Sequence, residues 1–267
     1  MFKSIGFIGA GNMATAIIDG MLRNSFLSPD SLYIFDLDSE KMALMKAKGI
    51  NTEQSGKAVA DKCDIIVLAV KPQNYREVLS DIKEAVTDKK VFVSIAAGIS
   101  TSYVQSELSA SCPVVRVMPN TPLLLGKGAT ALCATENIAK DDFKTVYDMF
   151  SLSGTVEILT EDHMNEIISV NGSSHAYVYL FAKAMLDYAI EQGIDEKAAL
   201  NLICATLEGS AEMLRESGST PDELIEKVSS KGGTTIAALE TLRRYNFYEG
   251  IKDAMSACTK RAEELGK

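Results

Sequence analysis

The feature that most limits what this chain can fold into lies at its start. The apolar stretch Ser4–Ile8 reads as a strand. It runs directly into Gly9-Ala10-Gly11-Asn12-Met13-Ala14, and a helical pattern follows from Met13 to Arg23. The spacing is G-x-G-x-x-A, a permitted form of the dinucleotide-binding fingerprint, in the strand–turn–helix context that gives the motif meaning. Gly9 allows the tight turn. Gly11 lets backbone N–H groups approach a pyrophosphate at the positive end of the helix, and Ala14 lets that helix pack closely on its strand. Ile8, Gly9, Gly11, Asn12 and Met13 are therefore candidate cofactor-binding residues.

The next 150 or so residues repeat this alternation. Short apolar runs at Leu32–Asp36, Ile65–Val70, Val91–Ile95 and Val114–Met118 read as buried strands, with helical patterns such as Ser39–Lys48 between them. Two shorter candidates follow at Ala129–Cys133 and Thr155–Ile158. Buried strands alternating with helices predict an α/β domain, a doubly wound parallel sheet covered on both faces. In such sheets ligands bind beyond the carboxyl ends of the strands, so the residues there become candidates. Asp36 ends the second strand. Its carboxylate can accept from ribose hydroxyls and would repel a 2′-phosphate, which leans toward NADH, while Lys41 nearby keeps NADPH open. Ala69, Lys71 and Pro72 follow the third strand. Ala96 and Ala97 follow the fourth and are small enough to admit a nicotinamide ring. Asn120, in Pro119-Asn120-Thr121-Pro122, follows the fifth and is a candidate partner of the nicotinamide side.

After about residue 160 the pattern is helical throughout, and the reading divides the chain into 1–160 and 161–267. Asn165–Gln192 reads as one long helix that would exceed about 40 Å, with apolar residues on more than one face, as in helices that pack on a second subunit. Further helices read at Asp195–Arg215, Pro221–Val228, Thr234–Arg244 and Tyr248–Leu265. The stretch Ser229-Ser230-Lys231-Gly232-Gly233-Thr234-Thr235 puts two glycines at a helix start, where free N–H groups and the helix dipole can hold a small anion. It lacks the length and lysine placement of a nucleotide-triphosphate loop, and a single carboxylate suits it better. An ordinary serine-capped helix would look similar.

Composition removes other classes. The net charge is -9, which disfavours nucleic-acid binding. No apolar run approaches the ~20 residues of a membrane span. Five scattered cysteines without a C-x-x-C pair argue for reduced thiols, hence a cytoplasmic setting. His163 and His175 are the only histidines, little material for a zinc site or a Ser-His-Asp triad.

Taken together, Phe7–Met13, Ala69–Gln73, Arg116–Pro122, Asn171-Gly172-Ser173 and above all Ser229–Thr235 resemble the pyrroline-5-carboxylate reductase family, in the right order and over essentially the whole chain. The resemblance implies a Rossmann-type domain followed by an all-α dimerisation domain. It implies reduction of 1-pyrroline-5-carboxylate to L-proline with NADPH or NADH, the last step of proline biosynthesis, by a homodimer that in some members assembles further into a decamer of five dimers. It implies that Gly232, Gly233 and Thr234 hold the substrate carboxylate through backbone N–H groups, that Ser230 helps place the ring, and that the Thr235 hydroxyl contacts the ring nitrogen as the catalytic group. The sequence departs from the family pattern at Asn171, where serine is frequent, at Ser174, often glycine, and at His175, usually proline. Ser55-Gly56 stands where an asparagine often touches the cofactor.

Two other readings share the same features. One is a reductase of a related cyclic imine or oxo acid. Hydroxyacid dehydrogenases need a lysine in the first long helix after the sheet, and Asn165–Gln192 offers only Lys183. The other is a non-catalytic dinucleotide sensor, which predicts a broken late loop, whereas Ser230–Thr235 is intact.

Overall fold

The computed structural model describes residues 3–266. Eight strands form one sheet: β1 (Ile5–Ile8), β2 (Leu32–Phe35), β3 (Asn51–Thr52), β4 (Ile65–Leu68), β5 (Val91–Ser94), β6 (Val114–Met118), β7 (Gly128–Ala134) and β8 (Gly154–Ile158). Their spatial order is β3-β2-β1-β4-β5-β6-β7-β8. The chain builds outward from β1 to one side, returns to β4 and builds outward to the other. The crossing point therefore falls between β1 and β4, where Ile8 lies opposite Leu68. A crevice opens at such a switch point beyond the strand ends.

Six helices serve the sheet: α1 (Asn12–Arg23), α2 (Ser39–Ala47), α3 (Gly56–Lys62), α4 (Tyr75–Ile82), α5 (Thr101–Leu108) and α6 (Lys140–Ser151). Successive strand residues face opposite sides, and the core divides accordingly. Ile65 and Val67 join Ile17, Ile18, Met21 and Phe150 in one apolar layer. Ile66 and Leu68 join Val59, Tyr75, Leu79 and Val104 in the other.

Two features depart from a purely parallel sheet. β7 runs antiparallel to β6, and β8 is parallel to β7. The connection from β6 to β7 is only Pro119–Lys127, too short for the helical crossover that a parallel neighbour requires. β7 and β8, joined through α6, keep the crossover geometry. β3 has two residues at the sheet edge, too few to leave an alternation pattern in the sequence.

Packing divides the chain into two compact units, Met1–Ser173 with Ala257–Lys267, and Ser174–Ser256. The second is helical: α7 (Ser174–Glu191), α8 (Glu196–Glu216), α9 (Pro221–Lys227), α10 (Thr234–Arg244) and the first part of α11 (Phe247–Leu265). The single long helix expected over Asn165–Gln192 is not formed. Ile168–Gly172 adopts a π-helical turn, and α7 begins at Ser174. Its 18 residues span about 27 Å. The break has a side-chain cause. Asn171 Nδ2 donates to the Met118 and Ala129 carbonyls at 2.8 and 2.9 Å, pulling this segment onto the ends of β6 and β7.

Within the helical unit the apolar residues find few partners. Ala189 is the one buried residue of α7, and α9 and α10 bury none. Leu180, Tyr188, Leu202, Tyr245 and Tyr248 are all more than half exposed. Surfaces this apolar mark association sites. Among the described residues, no helix is long and apolar enough to cross a membrane.

Candidate active site

The turn after β1 is fixed by close contacts. Gly9 has φ +104°, and a Cβ there would stand 2.5 Å from the Ala69 carbonyl oxygen, so backbone handedness and space both exclude a side chain. Gly9 N–H donates to Phe35 C=O at 2.7 Å, and Ala69 N–H to Ile8 C=O at 2.8 Å, tying the turn to β2 and β4. Gly11 is the N-cap of α1, and its missing side chain would project into open space.

Helix starts ordinarily present unpaired N–H groups that a side chain satisfies. Asp38, Ser55, Ser100, Asp195 and Thr220 cap α2, α3, α5, α8 and α9 in this way. Both α1 and α10 differ: each begins after a glycine, without a side-chain cap or an acidic residue in the first turn. These two ends keep their N–H groups and positive dipole for an anionic ligand. The turn on α1 therefore fits a dinucleotide pyrophosphate.

Asp36 is bound into the turn. Its Oδ2 accepts from Ala10 N–H at 2.7 Å and its Oδ1 from Asp38 N–H at 2.9 Å. Lys41 Nζ lies 3.8 Å from Asp36 and 3.5 Å from Asp38. Lys41 is thus already balanced by two carboxylates. The backbone N–H groups of Lys41 and Glu40 hold the Asp38 carboxyl below its ordinary pKa.

Ala69, Lys71 and Pro72 follow β4, and Ala96 and Ala97 follow β5, so both segments stand at the same edge as the turn after β1. Ala96 is buried and Lys71 exposed. Asn120 follows β6 and is also buried, but its amide is largely committed. Oδ1 accepts from Ala129 N–H at 2.9 Å, and Nδ2 donates to Asn171 C=O at 3.1 Å. One amide hydrogen remains for a ligand.

At the tip of α10, Gly232 has φ +74° and Thr235 is half-buried. Gly233 N–H closes a turn onto Ser230 C=O at 2.9 Å, so in this structure it is not free. The N–H groups of Thr234 and Thr235 have no helical partner at a first turn. These, with Gly232 N–H, are the available donors.

Three residues to which the sequence reading gave no role organise this part of the sheet. The Tyr75 hydroxyl donates to Leu68 C=O at 2.8 Å and lies 3.0 Å from Ser94 Oγ, joining the ends of β4 and β5 in a fully buried position. Burial pushes its pKa upward. Arg116 is buried and donates to Glu161 at 2.8 Å, to Met164 C=O at 3.2 Å and to Asn165 Oδ1 at 2.6 Å. Asn171 is the third, and its Oδ1 is buried without a hydrogen-bond partner. Tyr75 could have been found from its helical spacing with Leu79 and Ile82. Arg116 carried a weaker signal, a lone cation inside an apolar strand. Among the described residues no group of histidine, cysteine and acidic side chains could hold a metal. Burial raises the Cys63 and Cys133 thiols to about 12 and Cys112 to about 11, so none of the three is a ready nucleophile.

Comparison with known proteins matches both parts of the chain. Residues 161–265 match the family described as pyrroline-5-carboxylate reductase dimerisation, and residues 4–98 the one described as NADP oxidoreductase coenzyme F420-dependent. The pyrroline-5-carboxylate reductase of Escherichia coli is 35% identical over 100% of both chains. That of Haemophilus influenzae is 37% identical over 98% of this chain and 97% of its own. The solved structure of the Plasmodium falciparum pyrroline carboxylate reductase with NADP bound superposes with a TM-score of 0.92 at 29% identity, covering 99% of this chain and 98% of that one. A dimerisation family over the exposed apolar helices makes the chain a homo-oligomer. With full-length relatives above 30% identity and a matching fold, this chain belongs to the pyrroline-5-carboxylate reductase family.

Proposed function

We propose that this chain reduces 1-pyrroline-5-carboxylate to L-proline with NADH or NADPH. The observation that carries the reading is the pair of open helix N-termini, one suited to a pyrophosphate and one to a single carboxylate. The bound cofactor supplies a hydride from its nicotinamide ring, and the protein supplies position and electrostatics. Ile8, Gly9, Gly11, Asn12 and Met13 hold the pyrophosphate at α1, and Asp36 receives the adenosine ribose. Ala69, Lys71 and Pro72 border the cofactor, and Ala96, Ala97 and Asn120 bound the nicotinamide side. Gly232 and Thr234 N–H groups clamp the substrate carboxylate, with Gly233 keeping the backbone close and Ser230 shaping the loop. Fixing one end of a small rigid ring fixes its imine carbon at attack distance. The Thr235 hydroxyl is a poor acid, so its role is to hydrogen-bond the ring nitrogen or relay a proton through water.

The exposed apolar faces of α7 and α8 pair with a second copy to form a dimer, and five dimers form a decamer, in the cytoplasm. The boundary near residue 160 separates cofactor binding from substrate binding and dimerisation. The test is the change in reduced-nicotinamide absorbance: a loss with pyrroline-5-carboxylate or its six-membered homologue and the reduced cofactor, a gain with a 3-hydroxy acid and the oxidised cofactor. Fastest turnover with the five-membered imine is expected. Turnover with only one of the others would reassign the substrate, and none at all would leave a dinucleotide sensor.

A further inference from the structure

The loop after β5 is gripped by the end of the chain. Gly98 has φ +81°, and a Cβ there would fall well inside contact distance of the Ala262 carbonyl oxygen, 3.0 Å from Gly266 N and 3.3 Å from Leu265 Cβ. The approach is mutual, since a Cβ on Gly266 would collide with the Gly98 carbonyl. Ala96, Ile99 and Ala262 are all buried. The other flank of the loop is held separately. Ser100 caps α5 through Tyr103 N–H at 3.1 Å, and Ser94 meets the Tyr75 hydroxyl. The span Ile95–Ile99 is tied at its start by Ile95 N–H to Leu68 C=O at 3.4 Å and by the backbone of Ile95 and Ala96 to the Tyr75 hydroxyl, and the last turn of α11 packs across its later part, at Gly98. Residues 257–266 pack with the first unit although the helix begins in the second.

We propose that this last turn of α11 is a positioning element for hydride transfer: by pressing on Gly98 it sets the height of Ala96 and Ala97, and so the plane in which the nicotinamide lies. This rests on the assignment of Ala96 and Ala97 to the nicotinamide side. The adenosine half of the cofactor is held elsewhere, by the turn after β1 and by Asp36, and does not depend on residues 257–266. The two halves of the cofactor should therefore respond differently when the support is removed.

The experiment uses the full chain beside two variants. One ends at Ala262, deleting residues 263–267. The other is Gly98→Ala, which pushes on the contact from the opposite side. The readouts are kcat, KM for each substrate, melting temperature and affinity for ADP-ribose, which keeps the adenosine, the pyrophosphate and the second ribose but lacks the nicotinamide ring. Because a misplacement of about 1 Å can cost on the order of a hundredfold, both variants should lose about tenfold to a hundredfold in kcat. ADP-ribose affinity should change by less than about twofold. Unchanged kcat in the truncated chain overturns the proposal. So does an equal loss of kcat and ADP-ribose affinity with a lowered melting temperature, which would mark a purely structural contact. If the unaltered chain fails to reduce pyrroline-5-carboxylate, the functional reading fails, and ADP-ribose against NADH affinity in the variants still tests the support.

Discussion

Asp36→Asn separates the two jobs this side chain holds. The carboxylate braces the turn after β1 through Ala10 N–H at 2.7 Å, and it is the group proposed to receive the adenosine ribose. Asparagine keeps a carbonyl oxygen for the brace and removes the charge. With the ribose placed as proposed, a 2′-phosphate in place of its hydroxyl would lie beside the carboxylate, at a separation taken as on the order of 4 Å. Two unit charges at that distance repel by about 1 kcal/mol in water and about 4 kcal/mol at a protein surface. Asp36 and Asp38 carry two negative charges against Lys41, at 3.8 and 3.5 Å, so about one stays unbalanced. A net penalty of about 2 kcal/mol follows, on the order of thirtyfold in selectivity. We predict that the unaltered chain prefers NADH and that the NADPH/NADH ratio of kcat/KM rises about thirtyfold in Asp36→Asn. Asp36→Ala should also lose the brace, a charged hydrogen bond of about 1.5–3 kcal/mol, and weaken both cofactors. Initial rates with each cofactor under matched salt decide the matter. A ratio that moves less than threefold, or an unaltered chain that prefers NADPH more than tenfold, would refute the electrostatic reasoning.

Three further outcomes are expected. Thr235→Ala should lower kcat by about tenfold to a thousandfold while NADH affinity, from fluorescence titration, stays the same, since proton-positioning groups act in the transition state. Arg116→Met should destabilise the fold by about 3 kcal/mol in urea titration, because Glu161, Asn165 and the Met164 carbonyl lose a buried donor. Asp38 has a depressed pKa, so its cap on α2 stabilises the fold above the unfolded value and is lost as pH falls through the folded one. Asp38→Asn should accordingly flatten the acid limb of the stability–pH curve measured by thermal melts.

Local sequence was sufficient for seven of the eight strands and for the starts of α1 and α10, because alternation, helical spacing and glycine placement are written in neighbouring residues. Thr234–Arg244 was predicted residue for residue. Asn165–Gln192 misled for the same reason. Its apolar spacing is helical, but the Asn171 amide finds the Met118 and Ala129 carbonyls, more than 40 residues away in sequence, and the helix breaks there. The resemblance did name Gly233 as a carboxylate donor, yet its N–H turns back to Ser230.

By itself, then, the sequence determined where seven strands lie, where the glycine turn after β1 sits and where α10 begins. Those depend on backbone handedness and short-range periodicity. The tertiary structure decided the commitment of Asp36 to Ala10 and of Asn120 to Ala129 and Asn171, and the seating of the last turn of α11 on Gly98. Each is a contact between residues distant in the chain, whose partners exist only once the sheet has brought its strand ends to one edge.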